Sequence, residues 1–84
     1  MNKTIPTLTF YTKDECHLCD VAMEVVLKVK KSLEFNIDKV DITATNDLMR
    51  EFGEKIPMIY INGKPAFKYR VDEISLTDKI KRES

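Results

Sequence analysis

The sequence has no tryptophan and only two glycines, three prolines and two cysteines among its 84 residues. So little glycine and proline excludes a collagen-like or low-complexity chain, and 43% hydrophobic with 33% charged residues excludes a disordered one. No window approaches the roughly 18 consecutive apolar residues of a membrane span. Because domains typically run from roughly 50 to 250 residues, we expect one domain over residues 1–84 with a small core.

The sequence also lacks net charge, since 14 Lys and Arg residues balance 14 Asp and Glu residues. Nucleic acid and anionic membranes are therefore not expected as partners. The segment Met1–Pro6 has no long apolar run and does not look like a secretory signal. Two cysteines in such a chain favour a reducing compartment, where paired cysteines are more often catalytic or metal-binding than structural. We therefore expect a cytoplasmic protein.

The hydrophobic pattern predicts the element order β-α-β-α-β-β-α, which belongs to the α/β class. The predicted strands span 7–12, 35–42, 58–61 and 66–69, and the predicted helices span 16–33, a short segment before Gly53 and a closing segment after residue 71. The first β-α-β unit predicts two parallel strands with a right-handed crossover. The dipeptide Asn62-Gly63 predicts an antiparallel hairpin. We therefore expect a four-stranded mixed sheet flanked by helices.

Several positions predict where the two later helices begin and end. Thr45 or Asn46 can cap the second helix, and Gly53 suits a left-handed residue that ends it. Asp72 or Ser75 can cap the last helix, and a capping box beginning at Ser75 also fits the sequence.

Cys16 and Cys19 form a C-x-x-C motif at the predicted turn from the first strand into the first helix. Residues three apart in a helix have α-carbons roughly 5–6 Å apart, which is a distance that a disulfide spans. The unpaired N–H groups of the first turn stabilise a thiolate on Cys16. Cys19 lies deeper, where a low dielectric keeps it a thiol until it resolves a mixed disulfide. We therefore predict that Cys16 attacks and Cys19 resolves.

The charges around Cys16 act in opposite directions on its thiol pKa. Lys13 and a protonated His17 lower that pKa, whereas nearby carboxylates such as Asp14 and Asp20 raise it. We predict a net pKa below that of free cysteine. The alternative for His17 is a solvated residue at the start of the helix with no catalytic role.

The motif has two other interpretations. A structural disulfide across four residues stabilises by only about 2 kcal/mol, against about 3 kcal/mol for a fifteen-residue loop, and a reducing compartment disfavours it. A zinc site needs four ligands, and the two cysteines with the lone His17 cannot complete it in a monomer without a second subunit or a thiol-bearing cofactor. C-x-x-C beside a β-α-β pattern favours redox chemistry, with no metal.

Two segments, Phe10–Cys19 and Ile56–Lys64, resemble those of glutaredoxins, and the similarity extends over nearly the whole chain. The resemblance implies a thioredoxin-like fold in which the Ile56-Pro57 bond is cis. Proline in that position leaves the backbone of Ile56 free to pair with an extended substrate or with glutathione. The alternative is an ordinary trans proline that opens a strand.

Further residues match the glutathione site of glutaredoxins in part. Lys13 stands where a lysine helps to hold the glycine carboxylate of glutathione, although it can equally be an ordinary surface lysine. Asp72 stands where an acidic residue lies near the γ-glutamyl end. The two glycines that usually precede that residue are replaced by Tyr69 and Arg70, which either crowd the site or supply Arg70 as a new carboxylate partner.

The residues between the cysteines, His17 and Leu18, replace the usual Pro-Tyr and make the chain similar to glutaredoxin-like proteins with a Cys-His-Leu-Cys motif. Leu18 and Tyr11 are candidates for a shallow apolar docking patch, although Tyr11 can equally serve strand packing. The resemblance implies a monomeric thiol-disulfide oxidoreductase that reduces protein disulfides or glutathione mixed disulfides. It implies glutathione as a co-substrate. It implies no tightly bound cofactor.

Two alternatives remain open at the level of sequence. In the first, a thioredoxin-reductase-like flavoprotein recycles the same dithiol in place of glutathione. In the second, the chain is an iron-sulfur carrier in which two subunits and two glutathiones complete a cluster.

Overall fold

The computed structural model describes residues 5–84, and its element order is the predicted β-α-β-α-β-β-α. The elements are β1 Thr7–Thr12, α1 His17–Lys30, β2 Asn36–Asp41, a 3₁₀ turn Ile42–Ala44, α2 Asn46–Phe52, β3 Met58–Ile61, β4 Lys64–Lys68 and α3 Glu73–Glu83. The predictions for Met1–Pro6 fall largely on residues 1–4, which lie outside the described residues. Within residues 5–84, every helix is too short or too polar to span a lipid bilayer.

The four strands form one mixed sheet in the order β2-β1-β3-β4. β1 pairs in parallel with β2 and antiparallel with β3, and β4 pairs antiparallel with β3. A strand alternates its side chains between two faces, and along β1 the residues Leu8, Phe10 and Thr12 are buried while those between them are half-buried. The predicted fold class is therefore confirmed, with β1 central in the sheet.

The core lies between one face of the sheet and the helices α1 and α3. Apolar residues at helical spacing on α1 and α3 are buried together with Leu8 and Phe10: Ala22, Val26, Val29, Leu76 and Ile80. An ion pair of 3.2 Å between Lys28 and Glu73 joins the two helices at the surface. The other face of the sheet carries α2, whose Phe52 ring stacks on that of Tyr11 with 4.1 Å between the centroids. The helices therefore lie on both faces, as expected.

The boundaries of three elements differ from the predictions. Cys16 precedes α1 as its cap and the helix ends at Lys30, because residues 31–33 continue as a turn with hydrogen bonds back to Lys28 and Val29. β2 ends at Asp41, whose side chain accepts a hydrogen bond from the Thr43 backbone and starts the 3₁₀ turn. The predicted strand at 66–69 begins earlier, at Lys64, since the hairpin needs only two turn residues.

The predicted left-handed conformation of Gly53 is wrong. Its φ is −52°, and its N–H continues the helical pattern by donating to the Met49 carbonyl at 2.9 Å. A Cβ at this position would lie 2.5 Å from that carbonyl oxygen. Glycine is therefore required here by close contact with the backbone and not by its φ angle.

The other turn predictions have mixed outcomes. Asn62 and Gly63 both have positive φ, 51° and 79°, which confirms the hairpin and is the pattern of a type I′ turn. Thr45 caps α2 by accepting from the Leu48 N–H at 3.1 Å. Asp72 caps α3, whereas Ser75 lies inside the helix and donates its N–H to Asp72 at 2.8 Å. The capping box at Ser75 is therefore wrong, because the cap lies three residues earlier.

Candidate active site

The candidate site begins at Cys16, the residue that caps the amino terminus of α1. Cys16 has extended backbone angles, φ −116° and ψ 101°, and its Sγ accepts a hydrogen bond from the Cys19 N–H at 3.2 Å. The preceding residue, Glu15, has a φ of 56°, which turns the chain from β1 into α1. A sulfur at this position receives N–H groups and the positive end of the helix dipole, so the fold stabilises negative charge on Cys16.

The two cysteines differ in their exposure. They form a disulfide with 5.2 Å between their α-carbons. Cys19 is 3% exposed and belongs to the core, whereas Cys16 is half-buried and packs against the edge of the core. Cys16 is therefore the cysteine that a disulfide of a protein substrate can reach. Cys19, on the core side, is close enough to exchange with the sulfur of Cys16.

A polar cavity lies beside the turn that precedes Cys16. It measures about 290 Å³ and is lined by Thr12, Lys13, Asp14, Glu15, Asp20, Lys39 and Asp41. Lys13, three residues before Cys16 in the sequence, thus lines a cavity in which carboxylates outnumber lysines. The Asp41 carboxyl has its pKa lowered mainly by the hydroxyl of Thr43, which donates to it.

The Ile56-Pro57 peptide bond is cis, as the resemblance implied. Both residues are buried, and β3 begins only at Met58, so Ile56 precedes the ladder between β1 and β3. Because Tyr11 pairs with Met58, Pro57 lies at the end of the sheet where β1 runs into the cysteine turn. The fold therefore brings residues 56–57 to the same edge of the sheet as Cys16.

Tyr69 joins this segment to the loop between β4 and α3. Its N–H donates to the Pro57 carbonyl at 2.7 Å, and its hydroxyl donates to the Glu54 carbonyl at 2.8 Å. Tyr69 has a φ of 69°, in the left-handed region that favours glycine. A tyrosine in the first of the two glycine slots therefore adopts a backbone conformation that glycine favours.

Asp72 follows in the same loop and serves as the cap of α3. Its pKa is lowered from the ordinary carboxyl value, mainly by the Ser75 backbone N–H that donates to it. The carboxylate is exposed, so lone pairs not used by the helix face the solvent. The predicted capping role of Asp72 is therefore confirmed, while its assignment to a substrate site stays a prediction.

A second cavity, which we call the cleft, lies between the first two turns of α1, just after Cys16, and the loop that precedes α3. It measures about 400 Å³ and is lined by His17, Leu18, Val21, Ala22, Tyr69, Arg70 and Val71. His17 is exposed. Leu18, Val21 and Tyr69 each have 41–43% of their surface exposed. Sequence reasoning missed Val21 and Val71; the one local signal is that Val21 is a second apolar residue three positions after Leu18 on the same predicted helix.

Tyr11 does not contribute to the cleft. It stacks on Phe52 and meets Tyr60 edge to face, with 5.4 Å between the centroids, on the face of the sheet that carries α2. Burial, followed by the nearby Tyr60, raises the pKa of its hydroxyl. Of the two residues considered for a docking patch, only Leu18 lines the cleft.

The sequence profile of the family described as Glutaredoxin-like domain (DUF836) matches residues 7–81. The chain belongs to this family. The matched range includes both cysteines, residues 56–57 and the loop that holds Tyr69 and Asp72. All the segments that form this site therefore lie inside the glutaredoxin-like domain.

Relatives of this glutaredoxin-like chain are distant in sequence. The Glutaredoxin-like protein YDR286C homolog of Dictyostelium discoideum is 29% identical over 75 residues, covering 82% of this chain and 69% of the relative. An uncharacterized protein of Mycobacterium tuberculosis is 25% identical over 84 residues, covering 94% of this chain and 87% of that protein.

Solved structures show the same architecture. The protein XcR50 from X. campestris has a TM-score of 0.73 at 24% identity, with 89% of this chain and 96% of that chain covered. A thioredoxin variant from Halobacterium salinarum has a TM-score of 0.70 at 20% identity, with 93% and 74% covered. The glutaredoxin-like domain therefore has a thioredoxin-like fold, and its family and bonded C-x-x-C pair together support thiol-disulfide redox chemistry.

Proposed function

We propose that this glutaredoxin-like protein is a thiol-disulfide oxidoreductase that reduces protein disulfides or glutathione mixed disulfides through Cys16 and Cys19. The observation that carries the proposal is the unequal exposure of two bonded cysteines at the start of α1. A structural disulfide has no need of one accessible sulfur held against helix N–H groups, whereas thiol exchange requires it. The cytoplasm, which keeps thiols reduced, is the setting that suits this chemistry.

The reaction has two exchange steps. The thiolate of Cys16 attacks one sulfur of the substrate disulfide, forms a mixed disulfide and releases the other substrate sulfur as a thiolate. Cys19 then loses its proton and attacks the sulfur of Cys16, which releases the second substrate sulfur as a thiolate that takes up a proton. The substrate gains two electrons, and the enzyme is left with the Cys16–Cys19 disulfide.

The neighbouring segments are proposed to hold the substrate. The backbone of Ile56, outside the sheet ladder, pairs with an extended chain as an added strand does. Where the substrate is a glutathione mixed disulfide, Lys13 and Asp72 supply a cation and a carboxylate for the two ends of glutathione. His17, when protonated, supplies a positive charge beside the thiolate of Cys16, and we propose the same role for it as part of a Cys-His-Leu-Cys motif.

Serine variants test the assignment of roles. Pre-reduced Cys16→Ser should not react with a model disulfide, because the accessible nucleophile is gone. Cys19→Ser should react once and stop at a mixed disulfide that mass spectrometry detects on Cys16. The control is Ala44→Ser, an exposed position on the 3₁₀ turn, which should react as the wild type does. Reaction of Cys16→Ser at the wild-type rate would contradict the proposal, as would failure of a mild oxidant to link the two cysteines.

The electron donor is open between glutathione and a flavoprotein disulfide reductase. Tyr69 and Arg70 in the glycine slots favour the flavoprotein, whereas Lys13 favours glutathione. Turnover of a glutathionyl mixed disulfide with glutathione as donor separates the two routes. Activity retained in Cys19→Ser indicates glutathione, and wild-type activity that appears only with a thioredoxin-reductase-like flavoprotein indicates the other donor.

A further inference from the structure

We propose that the cleft beside Cys16 receives an apolar side chain and a neighbouring carboxylate of a protein substrate, so that the enzyme selects disulfide cysteines in apolar, acidic segments. This inference rests on the proposed function and specifies its substrate class. The cleft of about 400 Å³ is near the small end of the roughly 300–1,000 Å³ of ligand clefts, so it fits one or two side chains.

The lining of the cleft is mainly apolar. Leu18 and Val21 come from the first two turns of α1, and Tyr69 and Val71 come from the loop that precedes α3. Single exposed apolar residues are common on protein surfaces, but three of them, each 41–43% exposed, surround this one cavity. Burying them under a substrate side chain removes apolar area from water, which favours a branched or aromatic residue.

The wall formed by Tyr69 is fixed before a substrate arrives. Its backbone and its hydroxyl are both hydrogen-bonded, to Pro57 and to Glu54 respectively. A side chain held at both ends loses little conformational freedom when a ligand packs against it. The cleft is therefore preformed and adjoins the segment that is proposed to pair with the substrate backbone.

The two cavities near Cys16 differ in the charges of the residues that line them. Arg70 is the cation in the lining of the cleft, and no carboxylate of the described residues lines it. Arg70 takes no part in the ion pairs found within residues 5–84, which join Lys28 to Glu73, Arg50 to Asp47 and Arg82 to Asp78. The polar cavity, by contrast, is lined by four carboxylates and two lysines. A substrate carboxylate is therefore attracted by the lining of the cleft and repelled by that of the polar cavity.

Glutathione satisfies only part of this site. It carries carboxylates but no apolar side chain beyond its cysteine, so it leaves Leu18, Val21 and Tyr69 in contact with water. A segment of a protein chain can supply both groups at once. The chemistry of the lining therefore favours a protein segment.

Single-turnover kinetics with short peptides test the inference without any electron donor. Each peptide carries one cysteine as a mixed disulfide with thionitrobenzoate, whose release is coloured, and is attacked by the pre-reduced enzyme. The peptides differ only beside the cysteine, with Leu or Ala at one position and Asp or Asn at the next. The enzymes are wild type, Val21→Ala and Arg70→Gln. The controls are Leu27→Ala, an exposed residue of α1 outside the cleft, and Lys64→Gln, an exposed cation of β4 that lines another cavity.

We expect the wild type to react about three- to tenfold faster with the Leu peptide than with the Ala peptide, because part of an apolar side chain is buried. Replacing Asn with Asp in the peptide should raise the rate about two- to fivefold further, which corresponds to the free energy of an exposed ion pair. Val21→Ala should reduce the Leu preference, and Arg70→Gln should abolish the Asp preference, whereas both controls keep them. The glutathione mixed disulfide should react more slowly than the Leu-Asp peptide.

Three results would overturn the inference: equal rates with all peptides, preferences that persist in Val21→Ala and Arg70→Gln, or glutathione reacting as fast as the best peptide. Failure of the wild type to react with any of these disulfides is a separate result, because it refutes the proposed function itself. Comparing peptides within each variant also cancels any general loss of activity, since a partly unfolded enzyme slows all of them alike.

Discussion

At the scale of single residues, one position often serves both structure and chemistry. Cys16 caps α1 with its sulfur, as serine or aspartate does at other helices, and the same N–H groups that satisfy the cap favour its thiolate. Asp72 likewise caps α3 while its exposed carboxylate borders the proposed glutathione site. Loss of either side chain therefore affects the local helix as well as the chemistry.

The cap at Asp72 predicts a pH dependence of stability. Its pKa is lowered in the folded protein, mainly by the Ser75 N–H, so the carboxylate stabilises the fold above the unfolded pKa of roughly 4. That contribution is lost as the pH falls through the lower folded pKa. Asparagine caps helices without this charge. We expect Asp72→Asn to have a Tm a few degrees lower near neutral pH, with a difference that vanishes in strong acid.

Thermal unfolding of both proteins across the acid range checks this expectation. The carboxyl of Asp41 is common to both proteins, so its own depressed pKa cancels in the difference. A Tm difference that stays constant from neutral to strongly acidic pH would show that the charge of Asp72 contributes nothing.

At the scale of elements, the turns depend on contacts that cannot be seen in a local pattern. Gly53 looks like a left-handed end of α2, yet it remains helical and is placed against the Met49 carbonyl. Tyr69 does adopt a left-handed conformation, in spite of its side chain, because two hydrogen bonds hold it there. Intrinsic preference is overruled at both positions by neighbouring backbone.

Alanine should destabilise the protein at both glycines, for different physical reasons. At Gly53, where φ alone would favour alanine, the added Cβ meets the Met49 carbonyl oxygen at 2.5 Å, and we expect a loss of about 1–3 kcal/mol from overpacking. At Gly63 the space is open, and only the φ of 79° opposes alanine, at a cost of about 1–2 kcal/mol. Urea unfolding measures both. A Gly53→Ala protein more stable than wild type would contradict the close contact.

At the scale of the whole molecule, the site is assembled from three segments far apart in the chain. The cysteine turn at residues 12–19, the segment 54–57 and the loop 69–72 meet because β1 is central and pairs with β3 in the register of Tyr11 with Met58. Their relative positions depend on a small core between the sheet and the helices α1 and α3. A substitution that disrupts the packing of that core therefore also changes the relative positions of the site residues.

Alanine substitutions at two apolar residues of α3, one buried and one exposed, test the importance of this core. Leu76 is 0% exposed, and Leu76→Ala should cost about 2–5 kcal/mol through the lost contacts and the cavity left behind. Ile74 lies two residues before Leu76, about 200° away around the helix, and is 80% exposed, so Ile74→Ala should change stability by less than about 0.5 kcal/mol. Because small domains have only about 5–15 kcal/mol of stability, Leu76→Ala should also show a clearly lower Tm. Equal unfolding midpoints for the two variants would refute this core.

Much of the fold and part of the site could be predicted from local patterns. Alternation along β1, helical spacing along α1, the Asn62-Gly63 turn and the C-x-x-C spacing each depend on residues close together in sequence. The ends of α1, β2 and β4 could not be predicted to the residue, because hydrogen bonds to neighbouring turns decide where an element stops. The cleft could not be predicted either, since Val21 and Val71 belong to segments about fifty positions apart.

By itself, the sequence determined the order of elements and the chemistry of a cysteine pair at the start of a helix, because both follow from local spacing and from the unpaired N–H groups of a first helical turn. Only the tertiary structure decided that Gly53 is needed for contact and not for a left-handed turn, and that Arg70 lies in a cleft beside Leu18. Those properties depend on which surfaces pack together, and packing is a property of the whole chain.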